Sequence, residues 1–264
     1  MKRLLDRTIL VTGASRGIGR AVCARLARDG AQVAACASAH GDELNALVAE
    51  IRGAGGVAVP LLGDLRDGAT PARLVAEAAA ALGGLDAVVG NAGISSPGHL
   101  ATLDVADWDR VFAVNLRAQF LLAQAAYPCL QRSRGSLVTI ASMSGVQPYA
   151  GIGAYSATKA ALIMLTRQLA QEWAADGIRV NCVSPGLVRT PLTQAVYDRP
   201  EARSAREALV PVHRIGEAGA DIAGTVAFLL GPDAAYMTGH NLLVDGGLLD
   251  SVQTHLAGRP RTGS

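Results

Sequence analysis

The sequence predicts an α/β domain built on a doubly wound parallel sheet of about seven strands, with helices on both faces. Two observations carry this. Short, β-branched, apolar runs alternate with longer amphipathic stretches along most of the chain. The strand-like runs are apolar at nearly every position rather than at every second one, as expected of a sheet buried on both sides. Half of the 264 residues are hydrophobic, ample material for one core, and no linker or low-complexity run divides them. Residues 1–250 are expected to form a single domain. Residues 251–264, polar and containing Pro and Gly, are expected to be a disordered tail.

Taken in order, residues 8–12 (TILVT) form the first strand, and Gly13-Ala-Ser15-Arg16-Gly17-Ile18-Gly19 follows it directly. A helical pattern then runs over 20–29 and stops at Gly30. In a strand–glycine loop–helix unit, backbone amides and a helix N-terminus approach a pyrophosphate, which marks a Rossmann-like dinucleotide site. The spacing is Gly-x3-Gly-x-Gly, not Gly-x-Gly-x2-Gly, and no Gly-Lys-Ser/Thr follows, which argues against a nucleotide hydrolase. A glycine loop that only turns the chain is the plainer alternative; the flanking strand and helix count against it.

The alternation continues with strands at 32–36, 57–62 and 85–89 and helices at 42–52 and 71–82. At the tip of the second strand a carboxylate selects NAD by bonding the ribose 2′-hydroxyl. Here the tip reads Cys36-Ala-Ser38-Ala-His40, and the first acid, Asp42, suits the start of the next helix. Arg16 offers a fixed positive charge to a 2′-phosphate and Ser38 a hydroxyl. The reading therefore favours NADP(H), with NAD(H) as the alternative. Gly63-Asp64-Leu65 and Gly90-Asn91-Ala92-Gly93 follow strands and lie at the carboxyl edge of the sheet, where ligands bind in such folds. Asp64 is a candidate acceptor for the adenine amino group, and Asn91 and Gly93 bring backbone towards the cofactor. Turn formation is the alternative for each.

In the second half, residues 104–132 read as one long helix carrying Asn115 on an apolar face. A strand follows at 135–140, with Ser142 just beyond its end. Tyr155 and Lys159 stand four apart in a run of helix formers, so they share one face, one turn apart. An ammonium beside a phenol favours phenolate. Moving a tyrosine from about 10 to near 7 takes roughly 4 kcal/mol, part of which a lysine in a partly dry cleft can supply. Alone, Tyr-x3-Lys is a weak signal. A sixth strand at 179–183 leads into Ser184-Pro185-Gly186, and a last one lies at 241–244. Residues 191–216 have weak periodicity, and Tyr197, Asp198, Arg199, Arg203 and Arg206 read as a solvated helical face.

Composition excludes several functions. A net charge of +2 gives no case for a nucleic-acid or membrane partner. Cys23, Cys36, Cys129 and Cys182 lie scattered in apolar segments, and the five histidines show no ligand spacing, so no metal site is expected. No signal peptide or membrane span is read, and a cytoplasmic location is expected.

Together the motifs resemble the short-chain dehydrogenase/reductase family over roughly residues 5–250. They are Thr12-Gly13-x3-Gly17-x-Gly19, Asn91-Ala92-Gly93, Asn115, Ser142, Tyr155-x3-Lys159, Pro185-Gly186 and Asp245-Gly246-Gly247, in the family's order. The resemblance implies an enzyme in which Tyr155 is general acid and base and Ser142 holds the carbonyl oxygen. Lys159 lowers the Tyr155 pKa and binds the nicotinamide ribose, and Asn115 holds a water leading to solvent. The implied cofactor contacts are Gly13, Ser15, Arg16, Gly17, Ile18, Gly19, Ser38, Asp64, Leu65, Asn91, Ala92, Gly93, Tyr155, Lys159, Pro185, Gly186, Val188 and Thr190. Substrate-facing candidates are Ser95, Ser96, Gln147, Tyr149, Leu187 and Leu192, under a lid at 191–216. A homotetramer or homodimer is implied, packed near the last strand. The strongest likeness is to 3-oxoacyl-carrier-protein reductases and related sugar or polyol dehydrogenases. Where the carrier-protein enzymes dock their acidic partner with arginines, this chain has Ser133 and Gln171, flanked at the first by Arg132 and Arg134. From another class, a nucleotide-sensing regulator without chemistry is the alternative; such proteins are expected to lose the Tyr or the Lys.

Overall fold

Strands β1 (Thr8–Thr12), β2 (Gln32–Ala37), β3 (Val57–Leu62), β4 (Ala87–Gly90), β5 (Ser136–Ile140), β6 (Arg179–Pro185), β7 (Val188–Arg189), β8 (Gly216–Glu217) and β9 (Asn241–Val244) are joined by nine α-helices in the computed structural model, which describes residues 4–39 and 41–251. Seven of the strands form one all-parallel sheet in the order β3-β2-β1-β4-β5-β6-β9, and β7 and β8 pair separately. The expected seven-stranded, doubly wound sheet is therefore what the chain forms. The tail at 252–264 and His40 lie outside the described residues.

The helices are α1 (Gly17–Arg28), α2 (Gly41–Gly53), α3 (Thr70–Leu82), α4 (Val105–Phe112), α5 (Ala118–Ser133), α6 (Tyr155–Trp173), α7 (Gln194–Tyr197), α8 (Pro200–Leu209) and α9 (Ala223–Leu230). Six of them divide into two layers. One core packs Ile9, Val11, Val33, Val89 and Val138 against α1, α2 and α9; the other packs Leu10, Val88, Leu137 and Val180 against α3, α5 and α6. Neighbouring strand residues thus point into opposite cores, which is why the strands are apolar throughout rather than alternating. β1 is buried at all five positions.

Strand order reverses between β1 and β4: the chain winds outward through β2 and β3, then restarts on the other side of β1. At such a switch point the two carboxyl-edge loops diverge and leave a crevice. The glycine loop after β1 and the Asn91 loop after β4 face each other there.

Two elements differ from expectation. The stretch read as one helix over 104–132 is α4 and α5 joined by a π turn over Ala113–Arg117, with Asn115 at its centre. Residues 191–216, weakly periodic in sequence, hold two short helices, α7 and α8. Among the described residues no helix is long and apolar enough to cross a membrane, and none of their His, Cys, Asp and Glu groups could hold a metal ion.

Candidate active site

The glycine loop takes its shape from backbone that only glycine tolerates. Gly13 and Gly17 have φ of +66° and +57°, in the left-handed region open to glycine. At Gly19 a Cβ would sit 2.1 Å from Gly13 O and 2.6 Å from Asn91 Nδ2. The β4 loop is clamped to this one. Asn91 Nδ2 donates to Thr12 O at 2.8 Å and Gly13 O at 3.1 Å, and Thr12 Oγ1 accepts from the amides of Asn91 and Ala92, each at 3.1 Å. The Asn91 side chain is thus occupied in holding the two loops together. Thr12, named above only as part of a motif, does as much positioning as the glycines.

α1 begins at Gly17 with no side-chain cap on its first amides, which leaves them pointing into the crevice as an anion site. Arg16, immediately before it, is exposed. The tip of β2, Ala37-Ser38-Ala39, carries no acid. Thr190 and Pro191 lie against the loop, 3.6 Å from where a Gly17 Cβ would stand. These residues suit a dinucleotide with a 2′-phosphate. Asp64 does not wait free for an adenine amino group. Arg66 donates to its carboxylate from the side chain and the backbone amide and holds its pKa below the usual range.

Ser142, Tyr155 and Lys159 converge at the end of β5. Ser142 is extended (φ −171°) and caps a 3-10 turn over Met143–Gly145. Its Oγ accepts from Ser144 N at 3.2 Å and Ser144 Oγ at 3.0 Å. Tyr155 opens α6, and Lys159 lies one turn on, with Nζ 5.5 Å from the centre of the Tyr155 ring. The expectation that Lys159 lowers the Tyr155 pKa is corrected in the protein alone. Burial pushes the phenol up to about 12, and the opposing influence is a hydrogen bond with Ser142. The ammonium donates to Ile140 O at 2.8 Å and is itself buried, which brings it down to about 8.

Asn115 is fully buried, and its amide is spent on protein. Oδ1 accepts from Ile94 N at 2.8 Å, while Nδ2 donates to Ile94 O at 2.9 Å and Thr158 Oγ1 at 3.1 Å. Thr158 in turn donates to Tyr155 O at 2.7 Å. The side chain therefore ties the Gly93–Ile94 backbone to the first turn of α6, whatever water lies nearby. A Cβ on Gly93 would come 3.3 Å from Lys159 Nζ, so that loop passes directly over the ammonium. Thr158 and Ser144 were missed by sequence reading; a threonine inside Tyr-x3-Lys was the one available sign.

Four of the substrate candidates, Ser95, Ser96, Gln147 and Tyr149, lie on two loops tied together: Gly98 N donates to Gly151 O at 3.0 Å and Gly153 N to Gly98 O at 3.1 Å. Ser95 and Leu187 are half-buried and Gln147 and Tyr149 exposed. Ser96 Oγ accepts from Arg110, and Leu192 is exposed. Pro185 closes β6; Gly186 allows Asp245 to pass, since a Cβ there would be 2.5 Å from Asp245 Cα. Val188 is buried in β7. The polar side chains of 191–216 are not a solvated face throughout: Tyr197 is 3% exposed, with Arg206 stacked 5.7 Å from its ring centre. A groove of about 730 Å³ lies elsewhere, lined by Phe112, Leu116 and Phe120 on one side and Ala161, Met164 and Leu165 on the other.

Comparison with known proteins places this geometry among relatives. A family model described as enoyl-(acyl carrier protein) reductase matches residues 13–249. The chain is 35% identical over 247 residues to dehydrogenase/reductase SDR family member 4 of Bos taurus, covering 92% of this chain and 88% of that protein. It is 35% identical over 245 residues to the 3-oxoacyl-(acyl-carrier-protein) reductase FabG of Staphylococcus epidermidis, covering 92% and 99%. Among solved structures, a gluconate 5-dehydrogenase of Beutenbergia cavernae described as NAD(P)-dependent, with bound NADP, superposes with a TM-score of 0.89 at 37% identity, over 95% of this chain and 99% of that one. A short-chain dehydrogenase of Burkholderia cenocepacia in complex with NADP gives 0.88 at 38% identity, over 94% and 99%.

Proposed function

The chain belongs to the short-chain dehydrogenase/reductase family, and we propose that it is an NADP(H)-dependent oxidoreductase interconverting a secondary alcohol and a ketone. The reading is carried by one observation: Ser142 and the Tyr155–Lys159 pair meet at the carboxyl edge of the sheet, beside the clamped glycine loop. When bound, the nicotinamide supplies or accepts the hydride. Gly13, Ser15, Gly17, Ile18 and Gly19 hold the pyrophosphate and Arg16 with Ser38 the 2′-phosphate. Leu65, Ala92, Gly93, Val188 and Thr190 line the rest of the cleft. Both solved neighbours reported above carry NADP in their descriptions, which supports the same preference here.

In reduction Tyr155 gives its proton to the carbonyl oxygen as charge develops there, and in oxidation it takes that proton back. A phenol pushed up to about 12 is protonated at neutral pH, ready to act as the acid. Ser142 donates to the same oxygen and stabilises the forming alkoxide. Lys159, pushed down to about 8, brings positive charge to the floor of the site near neutral pH. Asn115 acts through structure, fixing Ile94 and Thr158. For Tyr155→Phe we expect turnover to fall by about 10²–10⁴-fold with NADPH binding by fluorescence titration unchanged. Turnover at the parent rate would reject the role.

Sugars and polyols are the first substrates to test, because a structural neighbour is described by its sequence assignment as a gluconate 5-dehydrogenase. Identity to FabG favours a second reading, a 3-oxoacyl thioester on a carrier protein. Against it, Ser133 turns its hydroxyl to Leu85 O and Cys129 O and offers an acidic partner no charge. A regulator without chemistry is disfavoured, because all four catalytic-type residues are kept. The buried free thiols Cys23, Cys36 and Cys182 suit a cytoplasmic location. We further propose a homotetramer or homodimer in which the groove between α4–α5 and α6 receives a second copy. Phe120 and Met164 stand 41% and 58% exposed there.

A further inference from the structure

We infer that Ser144 is a positioning residue: its hydroxyl and amide fill the acceptor side of Ser142 Oγ and so aim the Ser142 proton at the reacting oxygen. The inference rests on the catalytic reading above and deepens it. A serine hydroxyl has one proton to give and two lone pairs to receive. At Ser142 both lone pairs are taken from one side, by Ser144 N at 3.2 Å and Ser144 Oγ at 3.0 Å. Giving is the only role left to it. That is the role an alkoxide needs from its neighbour; in the protein alone the proton goes instead to the Tyr155 oxygen, where the bond opposes the burial that raises the phenol's pKa.

The arrangement is rigid. Ser144 is 2% exposed. The 3-10 turn that carries it is pressed against α6, where a Cβ on Gly145 would come 2.7 Å from the Lys159 carbonyl carbon. The turn therefore cannot shift without moving the helix turn that bears Lys159. Without the Ser144 hydroxyl, Ser142 regains a free lone pair and can accept the Tyr155 proton instead of directing its own outward. The phenol is then held in its ground state, and its ionisation moves to higher pH.

The test is a double-mutant cycle of Ser142→Ala and Ser144→Ala, read by steady-state turnover, its pH profile in the oxidative direction, and NADPH titration. For Ser144→Ala we expect turnover to fall about five- to tenfold, the size of one lost orienting hydrogen bond. NADPH affinity should hold, and the pH midpoint should rise. Ser142→Ala should lose about 10²-fold, and the double variant should be no slower than Ser142→Ala, because Ser144 has nothing left to orient. An equal fold-loss from Ser144→Ala in both backgrounds, or none in the parent, overturns the inference while leaving the catalytic reading intact. Full activity in Ser142→Ala overturns both. Should Ser144→Ala prevent folding, Ser144→Cys keeps the shape with a much weaker donor and runs the same cycle.

Discussion

Lys159 shows how far a side chain's position can be read without its environment. The four-residue spacing to Tyr155 placed both on one face, and the structure keeps them there. The direction of their influence did not follow from spacing. The ammonium is buried against Ile140 O and burial favours the neutral form of both groups, bringing the lysine down to about 8 and the phenol up to about 12. This has a consequence for stability. Lys159 has a pKa of about 8 in the folded chain against 10.5 as an ordinary lysine. Below pH 8 both states are charged and the folded state bears the full cost. Between pH 8 and 10.5 the unfolded chain binds more protons, so stability rises with pH. Tyr155 acts oppositely from pH 10 to 12, where the unfolded phenol ionises first and stability falls. Thermal melts at pH 7.5, 8.5 and 9.5 should therefore show the parent gaining on Lys159→Met as pH rises. Parallel curves would contradict the burial of a charged lysine.

Elements were legible to within a few residues where their pattern is local. β1, β3 and β9 fall where the apolar runs put them, and α2 and α3 where amphipathic spacing does. The π turn at Asn115 was not legible, since one residue of extra winding changes hydrogen-bond register while leaving apolar spacing nearly intact. The clamp between the glycine loop and the Asn91 loop was half legible: the glycines announced close approach, but Thr12 as the shared acceptor belongs to three-dimensional pairing. This clamp predicts a contrast between two glycines. Gly19→Ala drives a methyl into Gly13 O and the Asn91 amide, neither of which can yield. We expect a stability loss of about 1–3 kcal/mol and at least tenfold weaker NADPH binding, measured by melting and fluorescence. Gly53→Ala, at the end of α2 with open space around it, should be neutral or stabilising by about 0.5 kcal/mol. Equal effects at the two sites would mean the loop is not pinned.

For the whole molecule, the sheet order puts the cofactor crevice at one edge, and an apolar groove lies on the outer face of α4–α6. An exposed phenylalanine and methionine on adjacent helices suit a protein partner better than a small ligand. A second copy is the occupant proposed here. Phe120→Glu places a charge at that contact, and sedimentation velocity should show a smaller species, with association weakened by at least about tenfold. An unchanged sedimentation coefficient would move the interface elsewhere, the region of β9 being the expectation from family likeness.

By itself the sequence determined the fold class, the glycine loop, the absence of an acid at the β2 tip and the identity of the Tyr155–Lys159 pair. All of these depend on short-range pattern: apolar period, turn chemistry, and residues a fixed number of positions apart. Only the tertiary structure decided that Asn115 spends its amide on Ile94 and Thr158, that Asp64 is paired with Arg66, that Tyr197 is buried, and that Ser144 stands behind Ser142. Those outcomes depend on which polar groups are enclosed together and must satisfy one another away from water, and only the folded chain determines that.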